Sequence, residues 1–332
     1  MRTVIRAGIM ILLLNISFRA AAQQNIQFSQ YVFNGLSVNP AYAGYKEDLY
    51  VNATYRHQWA GFPGAPRTGG ASIDGATGND KKVGLGMQLL FDRLGPQDAL
   101  SLYGSYSYRI PLDDEDTRRL CLGIGAGVTQ YAIDGTALAY VDNDDEAIPT
   151  GKQSVWVPDA RFGIYYYTSK FYAGVSVMDL FSLYTDASRY TWKGNNYSTI
   201  RKTQHMYLTA GTMFQLNEML QLKPSILIKE DFKGPTSVDL NAFLLIGEKI
   251  WLGGSYRTNA KLWKKGNLPK DLSQLNAASA MVEFYATPTF RIGYSYDLNV
   301  NKMAGYQGGS HEMSLGFLFP SKKFTVQNPR YF

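Results

Sequence analysis

From Leu100 to Ile110 every second residue is apolar or small (Leu100, Leu102, Gly104, Tyr106, Tyr108, Ile110), and the intervening Ser101, Tyr103, Ser105, Ser107 and Arg109 are mostly polar. Successive side chains of a strand point to opposite faces, so such a run faces two different surroundings. The next run repeats the pattern, with Leu120, Leu122, Ile124, Ala126 and Val128 opposed to Cys121, Gly123, Gly125, Gly127 and Thr129. Runs starting at Met206, Phe290 and Met313 alternate in the same way. They are about ten residues long and often carry Tyr, Trp or Phe at their ends, as membrane-crossing strands with aromatic girdles do. No window beyond residue 22 holds the roughly 20 consecutive apolar residues of a helical span. The pattern predicts an all-β fold, a transmembrane antiparallel β-barrel.

About fourteen strands are predicted, near 49–58, 68–74, 83–92, 99–110, 120–131, 160–168, 171–178, 205–216, 219–229, 237–246, 250–258, 278–286, 290–298 and 311–319. The connections give an independent check. The fifth and seventh gaps, Ala132–Asp159 and Asp179–Gln204, are the longest, and the eleventh and thirteenth are also long. Even-numbered gaps such as Ser169-Lys170, Asn217-Glu218 and Gly247-Glu248-Lys249 are short. Long external loops alternating with short periplasmic turns produce this parity, with both termini periplasmic in a bacterial outer membrane. A soluble β-protein has no reason to show it.

The start of the chain reads as an export signal. Arg2 and Arg6 precede the apolar run Ile9–Leu14, and Ala20-Ala21-Ala22 is a small-residue cleavage site before Gln23. The predicted organisation is a signal peptide (1–22), a plug-like segment (23–48), the barrel (49–319) and a periplasmic tail (320–332). Charged residues make up only 18% of the chain and aromatic ones 14%, a mixture unusual for a soluble domain. A formal charge of +6 without a long basic run gives no argument for a nucleic-acid partner.

The stretch 27–44 does not look like the strands after it. Asn39-Pro40 is a turn or extended dipeptide, Gly35 and Gly44 interrupt any regular element, and Phe28, Tyr31, Phe33 and Tyr42 are too many rings for a solvated linker. The expectation is a segment folded into the barrel mouth or lumen, with Gln30, Tyr31, Asn34, Asn39, Pro40, Tyr42 and Gly44 as its structural residues. Its rings would pack on Gly123, Gly125 and Gly127, and its amides would bond lumen arginines. Arg56, Arg109, Arg161, Lys223, Arg257, Glu283, Arg291 and Asp297 fall on the mostly polar strand faces and are the candidate lumen contacts.

Other motifs carry little chemistry. Gly123-Ile124-Gly125-Ala126-Gly127 precedes no helix, so it is no phosphate loop. Asp142, Asp144, Asp145 and Glu146 lack the spacing of a calcium loop and read as a solvated acidic loop. His57, His205 and His311 are far apart in sequence, and no nucleophile elbow is present. Cys121, the one cysteine, reads as a small apolar side chain. Neither a metal, a cofactor nor an enzymatic activity is predicted.

The motif from Ser29-Gln30-Tyr31 to Asn39-Pro40-Ala41-Tyr42-Ala43-Gly44 resembles the N-terminal signature of the PorP/SprF family of Bacteroidota outer-membrane proteins. The likeness continues through Arg56-His57-Gln58-Trp59-Ala60-Gly61-Phe62-Pro63-Gly64-Ala65-Pro66, which adds Trp59 and Pro66 to the candidate contacts. It resumes at Gly293-Tyr294-Ser295-Tyr296-Asp297-Leu298 and Gly309-Ser310-His311-Glu312. The tail Pro320–Phe332 departs from the pattern by running past the point where many relatives stop. The resemblance implies a type IX secretion system component linked with gliding motility. It also implies partners: other secretion components, outer-membrane lipid, and adhesins bearing a type B C-terminal sorting domain that are secreted or anchored at the surface. The alternative is a transporter for hydrophobic small molecules, similar to the long-chain fatty-acid channels. A lumen this charged suits a hydrogen-bonded plug better than an apolar conduit.

Overall fold

The computed structural model describes residues 26, 28–137, 151–183, 189–192, 195–198, 203–232, 234–260, 262, 277–300, 305 and 307–321. The predicted signal peptide, Gln27, the acidic run Asp142–Glu146 and residues 322–332 of the tail lie outside the described residues. The strands are β1 Leu49–His57, β2 Arg67–Thr77, β3 Val83–Leu94, β4 Gln97–Pro111, β5 Arg119–Asp134, β6 Lys152–Tyr167 and β7 Phe171–Met178. The second half has β8 His205–Thr212, β9 Leu220–Glu230, β10 Thr236–Ile246, β11 Ile250–Ala260, β12 Ala277–Thr287, β13 Phe290–Asn299 and β14 Ser310–Phe319.

Each strand pairs antiparallel with the next, and β14 returns to β1 with Leu49 opposite Phe319 and His57 opposite His311. The result is a closed barrel of 14 strands, in which every barrel strand has two neighbours. Closure removes the open edges that hydrocarbon cannot solvate. Within the segment between β7 and β8, Arg189–Trp192 and Asn195–Ser198 form a separate two-stranded hairpin.

Alternation sorts the two walls. On β4, Leu100, Leu102, Tyr106 and Tyr108 face outward and are 42–45% exposed, whereas Ser101, Tyr103, Ser107 and Arg109 face inward and are at most 6% exposed. On β8 and β14 the outward Leu208 and Leu315 neighbour the inward Thr209 and Ser314. Outside is apolar and inside is polar, the arrangement of a barrel in lipid.

The two ends differ. The start of β1 and the end of β14 share one end with the short connections 168–170, 216–219, 247–249 and 288–289, here called the turn end. The opposite loop end carries the longer connections 135–151, 179–204, 261–276 and 300–309.

Two strands differ from expectation. β6 begins at Lys152 rather than near 160, because the alternation of Val155, Trp156 and Val157 carries straight through Pro158. β7 pairs β6 only from Phe162 to Tyr167, so the proline sits where β7 asks no ladder bond of it. The predicted strand 205–216 is broken at Met213, which turns inward, donates its N–H to the Lys170 carbonyl at 2.7 Å, and leaves Phe214–Gln215 as a short continuation.

Arginine at outward Leu208 or Leu315 is expected to destabilise the barrel by about 2–4 kcal/mol, the penalty for a cation at mid-membrane on this kind of wall. Alanine at the same positions is expected to cost less. Urea titration of the refolded protein in lipid vesicles measures both, and equal effects of the two substitutions would contradict the outward assignment.

Candidate functional site

The lumen is occupied by the chain that precedes β1. Residues 29–45 form three short 3-10 turns, Ser29–Phe33, Gly35–Ser37 and Pro40–Tyr42, and most of these residues are buried, with Asn34, Gly35, Ser37 and Val38 half-buried. Local chemistry explains the breaks. The Asn39 side chain accepts the Ala41 N–H at 2.9 Å and caps the turn that Pro40 opens. Gly35 has no side chain because the Tyr42 ring lies against its backbone. Gly44 (φ +77°) reverses the chain toward β1, and its N–H is held by Asp74 at 2.9 Å.

Near the loop end, three buried charges grip the first turn. The Glu312 carboxylate accepts the backbone N–H groups of Ser29 and Gln30 at 2.7 and 2.8 Å, donors that the start of a helical turn leaves unsatisfied. Arg56 bridges Glu312 at 3.0 Å and Asp297 at 2.5 Å, and it donates to the Ser29 hydroxyl at 2.8 Å. Ser29 in turn donates to Asp297 at 2.6 Å, and Ser314 donates to the Gln30 side chain at 2.6 Å. Arg56, Asp297 and Glu312 are at most 4% exposed, so their charges are stable there only because each has partners.

Deeper in the lumen, Phe33 is enclosed by Phe243 and Trp251, at ring distances of 5.4 and 5.7 Å, and by two cations. Lys223 Nζ lies 5.4 Å from the Phe33 ring and donates to the Val32 carbonyl at 3.3 Å. The Arg291 guanidinium is 5.7 Å from the same ring, is paired with Glu283, and donates to the Tyr50 hydroxyl at 2.6 Å. Tyr31 accepts from Asn241 at 2.7 Å, and Asn34 donates to Asn52 at 3.0 Å.

Toward the turn end the segment lies directly on strand backbone. A Cβ at Gly84, Gly123 or Gly163 would overlap Ala43, Ala41 or Asn39 respectively, and one at Gly174 would come within 2.9 Å of Asn39 Nδ2. Asn39 donates to the carbonyls of Ile164 and Val175 at 3.0 and 3.3 Å, joining β6 to β7. Ser107 donates to the Ala41 carbonyl at 2.9 Å. Tyr42 stacks on Tyr45 at 4.9 Å, and both meet Tyr165 edge-on. The cavity between Tyr31, Val38, Asn39, Tyr165 and Tyr172 measures about 20 Å³, room for one water.

Two expectations are corrected. Of the three glycines expected to carry the rings, only Gly123 meets the segment, through backbone; Gly125 lies against Arg161 Cβ and Gly127 against the Tyr103 ring. The amides of Asn34 and Asn39 bond Asn52 and main-chain carbonyls rather than arginines, because the arginines are taken up by carboxylates, carbonyls and hydroxyls.

The predicted residues separate accordingly. Gln30, Tyr31, Asn34, Asn39, Pro40, Tyr42, Gly44, Arg56, Arg291 and Asp297 converge on the segment. Arg109 stands at the turn end, donating to Tyr167 at 2.8 Å and facing Glu47 at 3.4 Å. Arg161 donates to Gln88 and stacks 3.3 Å from the Tyr103 ring, while Arg257 pairs with Asp239 at 2.9 Å, so both serve the wall. Trp59 and Pro66 lie in the loop-end connection between β1 and β2, where the Trp59 N–H donates to Ser310 at 3.2 Å. Sequence reasoning missed Glu312, Asp239, Asp74 and Asn52. A polar residue at the inward phase of each strand was the available signal.

Among solved structures, the chain is similar to the CymD monoaromatic hydrocarbon channel, with a TM-score of 0.55 at 11% identity over 89% of this chain and 94% of that one. It is also similar to a Pseudomonas aeruginosa FadL homologue, with a TM-score of 0.45 at 12% identity over 88% and 94% of the two chains. At such identities the first likeness is one of fold. No curated protein matches the sequence. The family described as type IX secretion system membrane protein PorP/SprF matches residues 20–317, and the chain therefore belongs to the PorP/SprF family of outer-membrane β-barrels.

Proposed function

We propose that this outer-membrane component of the type IX secretion system is a plugged barrel that binds secreted cargo and anchors it or assists its export at the cell surface, and that it is not itself the passage. The observation that carries the reading is the occupied lumen: the segment runs from Arg56 and Glu312 near the loop end down to Asp74 at the turn end. With the lumen filled, a partner has the loop end to bind. The cargo in this reading is an adhesin-type protein with a type B C-terminal sorting domain, in a system that serves gliding. The loop end faces the medium and the turn end the periplasm, following the loop lengths. On this orientation Ser29 lies near the outer end, although β1 begins and β14 ends at the periplasmic one.

Transport of a hydrophobic small molecule is the second reading, favoured by the shape shared with a hydrocarbon channel. The buried charges at Lys223, Glu283 and Arg291 give an apolar solute a poor path. Toluene uptake that exceeds that of liposomes without protein, together with normal cargo display in a variant that blocks uptake, would favour this reading instead.

Deleting residues 27–44 while retaining the leader is expected to leave a heat-modifiable barrel that no longer supports export or surface display of cargo. Normal display by that variant would refute the proposal. Glu312→Ala leaves Arg56 with one carboxylate partner fewer and strips the acceptor from two N–H groups. A stability loss on the order of 3–5 kcal/mol is expected, measured by urea titration. For orientation, a cysteine at Asn195 is expected to react with an impermeant maleimide on whole cells. One at Lys170 or Glu248 should react only after the outer membrane is opened, and the native Cys121, 1% exposed, should stay silent. The opposite pattern would invert the topology.

A further inference from the structure

Outward-facing residues near the loop end stand in one row across five neighbouring strands. His311, His57, Arg67, Arg93 and Asp98 are successive register partners on β14, β1, β2, β3 and β4. One pleat toward the membrane centre, the matching row is Met313, Tyr55, Gly69, Phe91 and Leu100. Met313, Tyr55, Phe91 and Leu100 in that lower row are 43–57% exposed on the lipid side. Phe91 lies across Gly69, where a Cβ would overlap its ring, and it meets Tyr55 at 6.4 Å.

The upper row carries a charge problem. Arg67 and Arg93 stand directly opposite each other, and like charges so placed in an antiparallel pair are destabilising. Asp98 bonds Arg93 at 2.7 and 3.3 Å and also faces Lys152 at 3.5 Å, so one carboxylate serves two cations. Among the described residues, Arg67 has no hydrogen-bond or ion-pair partner. The side chains of Arg93 and Lys152 remain 63% and 62% exposed. Tyr55, Arg67, Phe91, Arg93, Leu100 and Lys152 border a groove of about 480 Å³ on the outer wall.

We propose that this groove binds a phosphorylated, acylated lipid of the leaflet at the loop end, which on the orientation proposed above is the outer one. Its phosphate sits between Arg67 and Arg93, and an acyl chain lies over Tyr55, Phe91 and Leu100. The arginine fork suits phosphate bidentately, and among the described residues Arg67 is the cation without a partner. The apolar floor directly below selects a lipid over a free anion, which would gain nothing from Phe91 or Leu100.

The test is native mass spectrometry of the full-length barrel in neutral detergent, titrated with lipid A, with dephosphorylated lipid A and with inorganic phosphate. Lipid A is expected to bind most tightly. Arg67→Gln removes no hydrogen bond or ion pair among the described residues and is expected to weaken lipid A binding about tenfold, the scale of one charge-assisted bond. Arg67→Lys should restore part of the loss, and Arg118→Gln at the turn end should leave binding unchanged. Heat-modifiability verifies that each variant is folded. Equal binding of dephosphorylated lipid A, inorganic phosphate binding as tight as lipid A, or unchanged binding by Arg67→Gln would each overturn the proposal.

Discussion

A carboxylate without access to water must be given its hydrogen bonds by the protein, and Glu312 is such a group. Its three partners come from two places: the Arg56 guanidinium on β1, and the Ser29 and Gln30 N–H groups of the luminal segment. Each is better satisfied with the others in place. Remove the segment and Glu312 loses two donors; remove Glu312 and both the segment and Arg56 lose an anchor. The same rule runs through the wall, where Asp239 answers Lys229 and Arg257, and Glu283 answers Arg291. A polar interior of this kind is stable because it is paired, and the segment is one of the things it is paired with.

Shape makes the second half of the fit. Ordering an irregular segment costs on the order of 1–2 kcal/mol per residue in backbone entropy, so contacts must be close and numerous. Gly84 on β3 and Gly123 on β5 let the backbone of Ala43 and Ala41 lie directly on the wall, and Gly163 on β6 and Gly174 on β7 make room for the Asn39 side chain. Tyrosines fill what remains, with Tyr42, Tyr45, Tyr165 and Tyr167 in mutual ring contact. The glycines supply closeness and the tyrosines supply area.

The barrel was legible in the sequence because lipid and lumen impose a period of two on every strand, and because loop length alternates with parity. The reach of β6 was hidden by Pro158, which reads as a stop unless one knows that β7 does not flank it there. That the aromatic stretch before β1 sits inside was also legible, since those rings needed cover. Its contacts were not. Gly125 and Gly127 share a face with Gly123, yet they accommodate Arg161 and Tyr103, a choice made by the path of the segment in space. His57 and His311 are separated by most of the chain and become neighbours only when the last strand meets the first.

That meeting has a consequence for assembly. The seam between β1 and β14 is also where Arg56 and Glu312 clasp Ser29, so docking the segment and zipping the last strand to the first satisfy the same groups. A sheet that closed empty would leave Glu312 without the Ser29 and Gln30 N–H groups and Arg56 without the Ser29 hydroxyl. Placing the segment before closure satisfies these groups at the moment the last strand meets the first. A barrel made this way carries a built-in check on its own completion: the final strand finds its full set of partners only if residues 29–45 are already inside.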